Sequence, residues 1–260
     1  MTPTLATCVL AAPALAAANH PVITEVLYFV PSKKAGDANK DGERDPAGDE
    51  FVEITNLSRS AIELGGYAII DSDAWWFLSE RGTKPVDLSR DVEGKNVLFV
   101  FPKCRLEPGA SAVVFNGFGM KSGGKSGPMG TKEKAAGANA GFGGALVFSA
   151  EVATVKAGFG NDGDWVALVS PAGEFVQVVR WGKPDHEPPT KAPVSEAPAE
   201  PRGSAQRTKL KGEWVFVDHA TLGGGGQLFS PGVGDAGVPK DDAEQPKDGT
   251  GEPGARPSLR

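Results

Sequence analysis

The chain has 260 residues, 40% of them hydrophobic, with 35 glycines, 21 prolines and a formal net charge of -6. That length and apolar content suffice for one sizeable core, and the glycine and proline content demands many turns. The acidic balance excludes the basic footprint of a nucleic-acid or anionic-lipid binder.

Residues 1–20 contain no Lys, Arg, Asp or Glu, and Leu5 to Ala18 is apolar, ending in Ala14-Leu15-Ala16-Ala17-Ala18. This small-residue ending fits a signal-peptidase site, so 1–20 reads as a signal-like segment without its positive start; a hydrophobic N-terminal strand is the alternative. Leu5-Ala6-Thr7-Cys8 is a poor lipid-anchor match, because Thr7 precedes the cysteine. Cleavage leaves Cys104 alone, so a secreted or cell-surface product has no internal disulfide. No other apolar run approaches the ~18 residues of a membrane span, and none is expected.

Strand candidates follow in chain order: Val22 to Tyr28, Phe51 to Asn56, Tyr67 to Ile70, Val97 to Phe101, Ser111 to Phe115, Leu146 to Phe148, Trp165 to Val169, Phe175 to Trp181 and Trp214 to Val217. Ile23, Glu25 and Leu27 alternate against Val22, Thr24, Val26 and Tyr28, the period of a half-buried strand. The unbroken Val97-Leu98-Phe99-Val100-Phe101 predicts a central strand covered on both faces. Short apolar runs punctuated by Pro108-Gly109, Asn161 to Asp164 and Pro171-Ala172-Gly173 place the chain in the all-β class, as a sandwich or barrel. Three stretches interrupt the rhythm and read as surface loops: Ser72 to Asn96, Gly117 to Gly144, and the proline-rich 183–202. From Gly234 to residue 260 scarcely an apolar side chain remains, which predicts a disordered tail or linker and leaves 21–233 as the folded domain.

Between the first two strands lies the most informative segment. Asp37, Asn39 and Asp41 sit two residues apart and Gly42 follows, so their oxygens can converge on one hard cation while the glycine makes the sharp turn. Counted as an EF-hand-type loop, the seventh position is the Glu43 carbonyl and the ninth is Asp45. The twelfth is Gly48, so a bidentate carboxylate has to come from Asp49 or Glu50, and strands replace the flanking helices. The expected cofactor is calcium, with Asp37, Asn39, Asp41, Glu43, Asp45, Asp49 and Glu50 as candidate ligands. A metal-free loop of polar Asx turns is the alternative.

Ile23 to Tyr28, the 36–42 loop and Asp49 to Asn56 together resemble the lamin tail domains of bacterial exported proteins. Leu64-Gly65-Gly66-Tyr67 resembles that family's Leu-Ser-Gly-Trp step, with Tyr67 replacing the tryptophan. Phe101-Pro102 with Leu106-Glu107-Pro108-Gly109 is similar to its Phe-Pro to Leu-x-Pro-Gly segment, with Cys104 where glycine is common. Ala112 to Phe115, Asn161 to Leu168 and Ser230-Pro231-Gly232 resemble its later strands and closing turn. The resemblance implies an immunoglobulin-like β-sandwich with long loop insertions, serving as an interaction or structural module rather than an enzyme.

Other motifs carry less. Gly119 to Ser126 matches the phosphate-loop pattern, but Gly127, Pro128 and Gly130 follow where a helix must start, so the match reads as coincidence. Trp75, Trp76 and Phe77 form either an interaction platform for a glycan or partner, or a plug for the sandwich end. His20, His186 and His219 have no zinc spacing, and Cys104 reads as a small buried filler. These observations favour an exported, non-enzymatic module whose partner is an unidentified protein or cell-envelope component. The alternative is a metal-dependent hydrolase, a phosphoesterase or nuclease, holding its ion with Asp37, Asp41, Asp45 and Glu50.

Overall fold

A computed structural model describes residues 20–90, 92, 96–120, 126–222 and 226–233. The signal-like segment before His20, the core of the phosphate-loop match (121–125) and the tail from Gly234 lie outside them.

Among the described residues the chain is all-β apart from one short α-helix and four single 3-10 turns. In order it forms β1 (Val22–Leu27), β2 (Phe51–Thr55), β3 (Ile62–Glu63), β4 (Ala68–Asp71), α1 (Ser72–Leu78), β5 (Leu98–Val100), β6 (Arg105–Leu106) and β7 (Ser111–Phe115). Then follow β8 (Ala138–Asn139), β9 (Ala145–Ser149), β10 (Gly163–Val169), β11 (Phe175–Gly182), β12 (Val194–Glu196), β13 (Ala205–Leu210) and β14 (Glu213–Asp218). A seven-stranded sheet runs β14-β13-β1-β2-β7-β9-β8, a five-stranded sheet runs β12-β11-β10-β4-β5, and β3 pairs with β6. β7 with β9 and β11 with β12 are parallel; the other named pairings are antiparallel.

Apolar residues fill three layers. Between the sheets, Ile23, Val26, Val52, Val114 and Phe148 meet Ile69, Phe99, Val166, Leu168 and Trp181. Tyr28 stacks on Trp181 at 3.9 Å between ring centroids and 7° between planes. The outer face of the five-stranded sheet is also apolar, because α1 lays Ala74, Trp75 and Leu78 over Ile70, Leu98, Trp165 and Val178. Outside the seven-stranded sheet, Leu27, Phe51, Val113, Phe115 and Val147 pack with Phe142 and Phe229. Strands covered on both faces, such as β7 and β10, lose polar alternation and read as continuous hydrophobic runs.

Four expectations change. Val97 to Phe101 is covered on both faces as the run requires, with α1 over the outer one, but β5 pairs only with β4 and is an edge strand. A register shift between Ile23 and Glu25 interrupts the alternation of β1, so Ile23 and Val26 both face the inner core. Ser72 to Leu78 is helical rather than loop: Asp71 caps it by accepting from the Ala74 N–H at 2.6 Å. The proline-rich 183–202 segment holds β12, and the Tyr28 hydroxyl donates to the Pro198 carbonyl.

Glu25 and Glu53 lie opposite each other in the β1–β2 register, both fully buried. The segment 226–233 crosses them. Ser230 N–H donates to Glu25 Oε1 at 2.8 Å, Ser230 Oγ to Glu25 Oε2 at 3.1 Å, and Gly232 N–H to Glu53 Oε2 at 2.7 Å. Thr24 Oγ1 donates to Glu53 Oε1 at 2.6 Å, and His219 Nδ1 lies 3.3 Å from Glu25 Oε1. Two facing buried acids are thus fixed by hydroxyl and backbone N–H donors to the closing Ser-Pro-Gly turn.

Candidate functional site

The ends of β1 and β7, the starts of β2 and β10 and the exit of β4 into α1 gather at one end of the sandwich. The 37–49 loop closes the β1–β2 connection there. Its backbone winds through successive side-chain acceptors: Asp37 Oδ2 takes the Gly42 N–H at 3.1 Å, Asn39 Oδ1 the Asp41 N–H at 2.9 Å and Asp41 Oδ1 the Glu43 N–H at 2.9 Å. Gly42 has φ +99°, which a glycine adopts without strain, and makes the turn that the spacing predicts. Asp37 Oδ1 is buried and has no hydrogen-bond partner.

The later acids of the loop have other duties. Asp45 Oδ1 accepts from Ala47 N–H at 2.8 Å and Gly48 N–H at 2.7 Å. Asp49 ties the two ends together, accepting from Asn39 N–H at 2.9 Å and Asp45 N–H at 2.7 Å. Burial, helped by the Asp37 charge and opposed by these donors, pushes the Asp49 carboxyl up to about 7. Glu43 is exposed. Arg44 donates to the Pro31 and Val30 carbonyls and so holds the loop from beneath.

Glu50 is committed to the interior. Its Oε2 accepts from Asn116 Nδ2 at 2.6 Å and from Phe159 N–H at 2.9 Å. Two carboxylates that sequence reasoning passed over share this end: Asp71, accepting from Ala74 and Val97 N–H groups, and Asp164, accepting from Gly160 and Trp165 N–H groups. Burial, with neighbouring carboxylate charge adding to it, holds Glu50, Asp71 and Asp164 above the ordinary carboxylate range. Asp71 was readable as a cap ahead of Ser72-Asp73-Ala74, whereas Asp164 and Asn116 reach their partners only through the tertiary fold. Among the described residues, no group of three or more His, Cys, Asp or Glu is placed to hold a metal ion. The four acids of the hydrolase alternative are therefore not gathered as one carboxylate cage: Asp37 and Asp41 organise the first turn, Asp45 the second, and Glu50 the sheet interior.

The aromatic run divides. Trp75 is buried, 5.7 Å from the Trp165 ring, and plugs the outer layer. Trp76 is half-buried and lies parallel to the His186 ring at 4.3 Å, while Phe77 is 46% exposed beneath the Arg90 guanidinium, 4.6 Å from the ring centroid. Cys104 is half-buried and unpaired; burial, with the Glu63 charge, pushes its thiol up to about 11. His20 Nδ1 sits 2.6 Å from the Tyr67 hydroxyl, which anchors the position where the resemblance expects tryptophan.

The Lamin Tail Domain family model matches residues 15–183, well over half of the chain. A solved structure of a DUF4876 family protein from Bacteroides thetaiotaomicron is similar over 77% of this chain and 68% of that chain, at 12% identity and a TM-score of 0.38. No curated protein matches the sequence. No helix among the described residues is long and apolar enough to cross a membrane.

Proposed function

From the premise that the chain belongs to the Lamin Tail Domain family, we propose that it is an exported, non-enzymatic interaction module whose first long loop is braced by calcium. Fold class alone assigns no role. The observation that carries the reading is Asp37 Oδ1, a buried carboxylate oxygen without a partner at the head of a ladder of Asx turns. A buried, unpaired acceptor is costly, and a cation removes the cost. Asp37, Asn39, Asp41 and the Glu43 carbonyl would hold the ion. Asp37 Oδ1 has no other partner, and an oxygen that accepts one N–H still has a second lone pair to offer. Asp45, Asp49 and Glu50 would support the loop without ligation: Asp45 Oδ1 and Glu50 Oε2 each accept two donors, and both Asp49 oxygens tie the loop's ends.

With no bidentate carboxylate the site is weak, in the range of extracellular modules at a Kd of about 0.1 to 1 mM. Millimolar calcium then adds about 0.4 to 1.4 kcal/mol. The apolar Leu5 to Ala18 segment supports export, and the partner is a protein or cell-envelope component. The test is a thermal melt in calcium and in chelator, with Asp37→Asn alongside. Calcium is expected to raise the melting temperature of the parent by about 1 to 4 °C and to leave the variant unmoved. Identical curves remove the calcium claim. Turnover of a phosphodiester or phosphomonoester with calcium, magnesium or manganese, lost in Asp37→Asn, restores the hydrolase reading instead.

A further inference from the structure

A hollow of about 660 Å³ opens beside α1, walled by Trp76 and Phe77 and ringed by Asp73, Glu80, Arg81 and Arg90. We infer that this hollow is a binding site for a neutral oligosaccharide. The volume is that of a small-ligand site. Two aromatic side chains offer apolar surface for the C–H faces of a pyranose ring. Their positions are fixed by neighbours, Trp76 by the parallel His186 ring and Phe77 by the Arg90 guanidinium, itself part of the rim, which also donates to the Phe77 carbonyl at 3.2 Å.

The rim carries both signs. Two carboxylates and two guanidinium groups line the hollow, and Glu80 is already paired with Lys84 at 2.8 Å, so the described rim does not present a field of one sign. What they offer jointly is a dense set of hydrogen-bond acceptors and donors around an aromatic wall, and vicinal hydroxyls, each donor and acceptor at once, complement that set. A purely apolar peptide face would bury these charges without partners.

The backbone supplies an independent observation. Glu80 and Arg81 are consecutive non-glycine residues in the left-handed region, at φ 48° and 64°, and Gly82 continues it at 76°. The strain is locked in place: Arg81 N–H donates to the Trp76 carbonyl at 2.7 Å, Gly82 N–H to Ser79 Oγ at 2.8 Å and Lys84 N–H to the Ser79 carbonyl at 2.9 Å. Gly82 passes so close to Trp75 that a Cβ would stand 3.1 Å from its ring. Side chains kept at disfavoured dihedrals by an over-determined turn mark positions where aim matters, and here the turn sets Glu80 and Arg81 on the rim.

This site gives the interaction module a class of partner and rests on that reading, though not on calcium. The experiment titrates the full chain with cello-, manno-, malto- and N-acetylated chito-oligosaccharides, with uronate and deacetylated chitosan oligomers as charged comparators. Intrinsic tryptophan fluorescence and calorimetry report binding, and reducing-end release reports cleavage. At least one neutral series is expected to bind at millimolar ligand or below, without cleavage. Phe77→Ala, at an exposed position, and Arg81→Gly, which suits the left-handed backbone and keeps the melting temperature at or above the parent's, are each expected to weaken it by about tenfold. Absence of binding by every neutral series, binding by a charged comparator alone, or unchanged affinity in both variants overturns the proposal. Binding with cleavage keeps the site but defeats the non-enzymatic reading; no binding with an intact calcium shift defeats the site and keeps the module.

Discussion

Cys104 illustrates how a single environment decides between chemistry and packing. Its thiol starts from a reference value of 9.0 and is pushed up to about 11 by burial and by the Glu63 carboxylate. The thiolate, the reactive species, is then about a hundredfold scarcer at neutral pH than for an unperturbed thiol. Because the scarcer thiolate is also the more nucleophilic, modification by a disulfide reagent at neutral pH should be slower than that of free cysteine by about one order of magnitude, and should recover on unfolding in urea. Rapid labelling of the folded chain would return Cys104 to the list of nucleophiles. Asp37, Asn39 and Asp41 show the same principle at three neighbouring positions: their spacing forecasts the turn, while the buried Oδ1 of Asp37 emerges only from the surrounding packing.

Among the elements, the segment 226–233 joins distant parts of the chain, reaching back to Glu25 and Glu53. Gly232 has φ +87°, and a Cβ there would fall 2.1 Å from the Phe142 carbonyl oxygen, so no larger residue fits without lifting the segment. Lifting it takes the Gly232 N–H from Glu53, a hydrogen bond to a buried acid. Gly232→Ala is expected to cost about 3 kcal/mol, combining backbone strain with a lost hydrogen bond to a buried acid. Urea unfolding measures the cost, and proteolysis within the segment should accelerate at the same time; a loss within a few tenths of a kcal/mol would show that the cover over Glu53 is dispensable. Elements of this kind define what the sequence could reveal. Phe51 to Asn56, Ser111 to Phe115 and Trp165 to Val169 were legible because apolar packing on one or both faces writes itself into composition. Ala205 to Leu210 was not, since Gln206, Arg207, Thr208 and Lys209 carry a polar strand whose pairing with β1 and β14 depends on backbone bonds. α1 was concealed by its brevity, and the roles of Asp49 and Glu50 by partners as distant as Phe159.

On the scale of the whole molecule, Glu50, Asp71 and Asp164 bring an uncommon amount of buried acid to one end of the sandwich. Each is held above the ordinary carboxylate range, by burial first, with neighbouring negative charge adding to it. A raised folded value means that the native state keeps protons the unfolded chain has released. The resulting stability is complete below the reference values of 3.8 and 4.5 and is lost as pH rises through the raised folded values. In chelator, so that calcium does not contribute, the melting temperature should fall from about pH 5 to about pH 8. The surface excess of acids, a net charge of -6, acts in the same direction, so a decline alone does not identify the buried groups. Asp164→Asn separates the two: it leaves the surface as it was, removes one titrating member of the cluster and should flatten the slope. An unchanged slope in Asp164→Asn would assign the pH dependence to the surface, and a melting temperature that rises with pH would mean that the N–H donors around these carboxylates outweigh their burial.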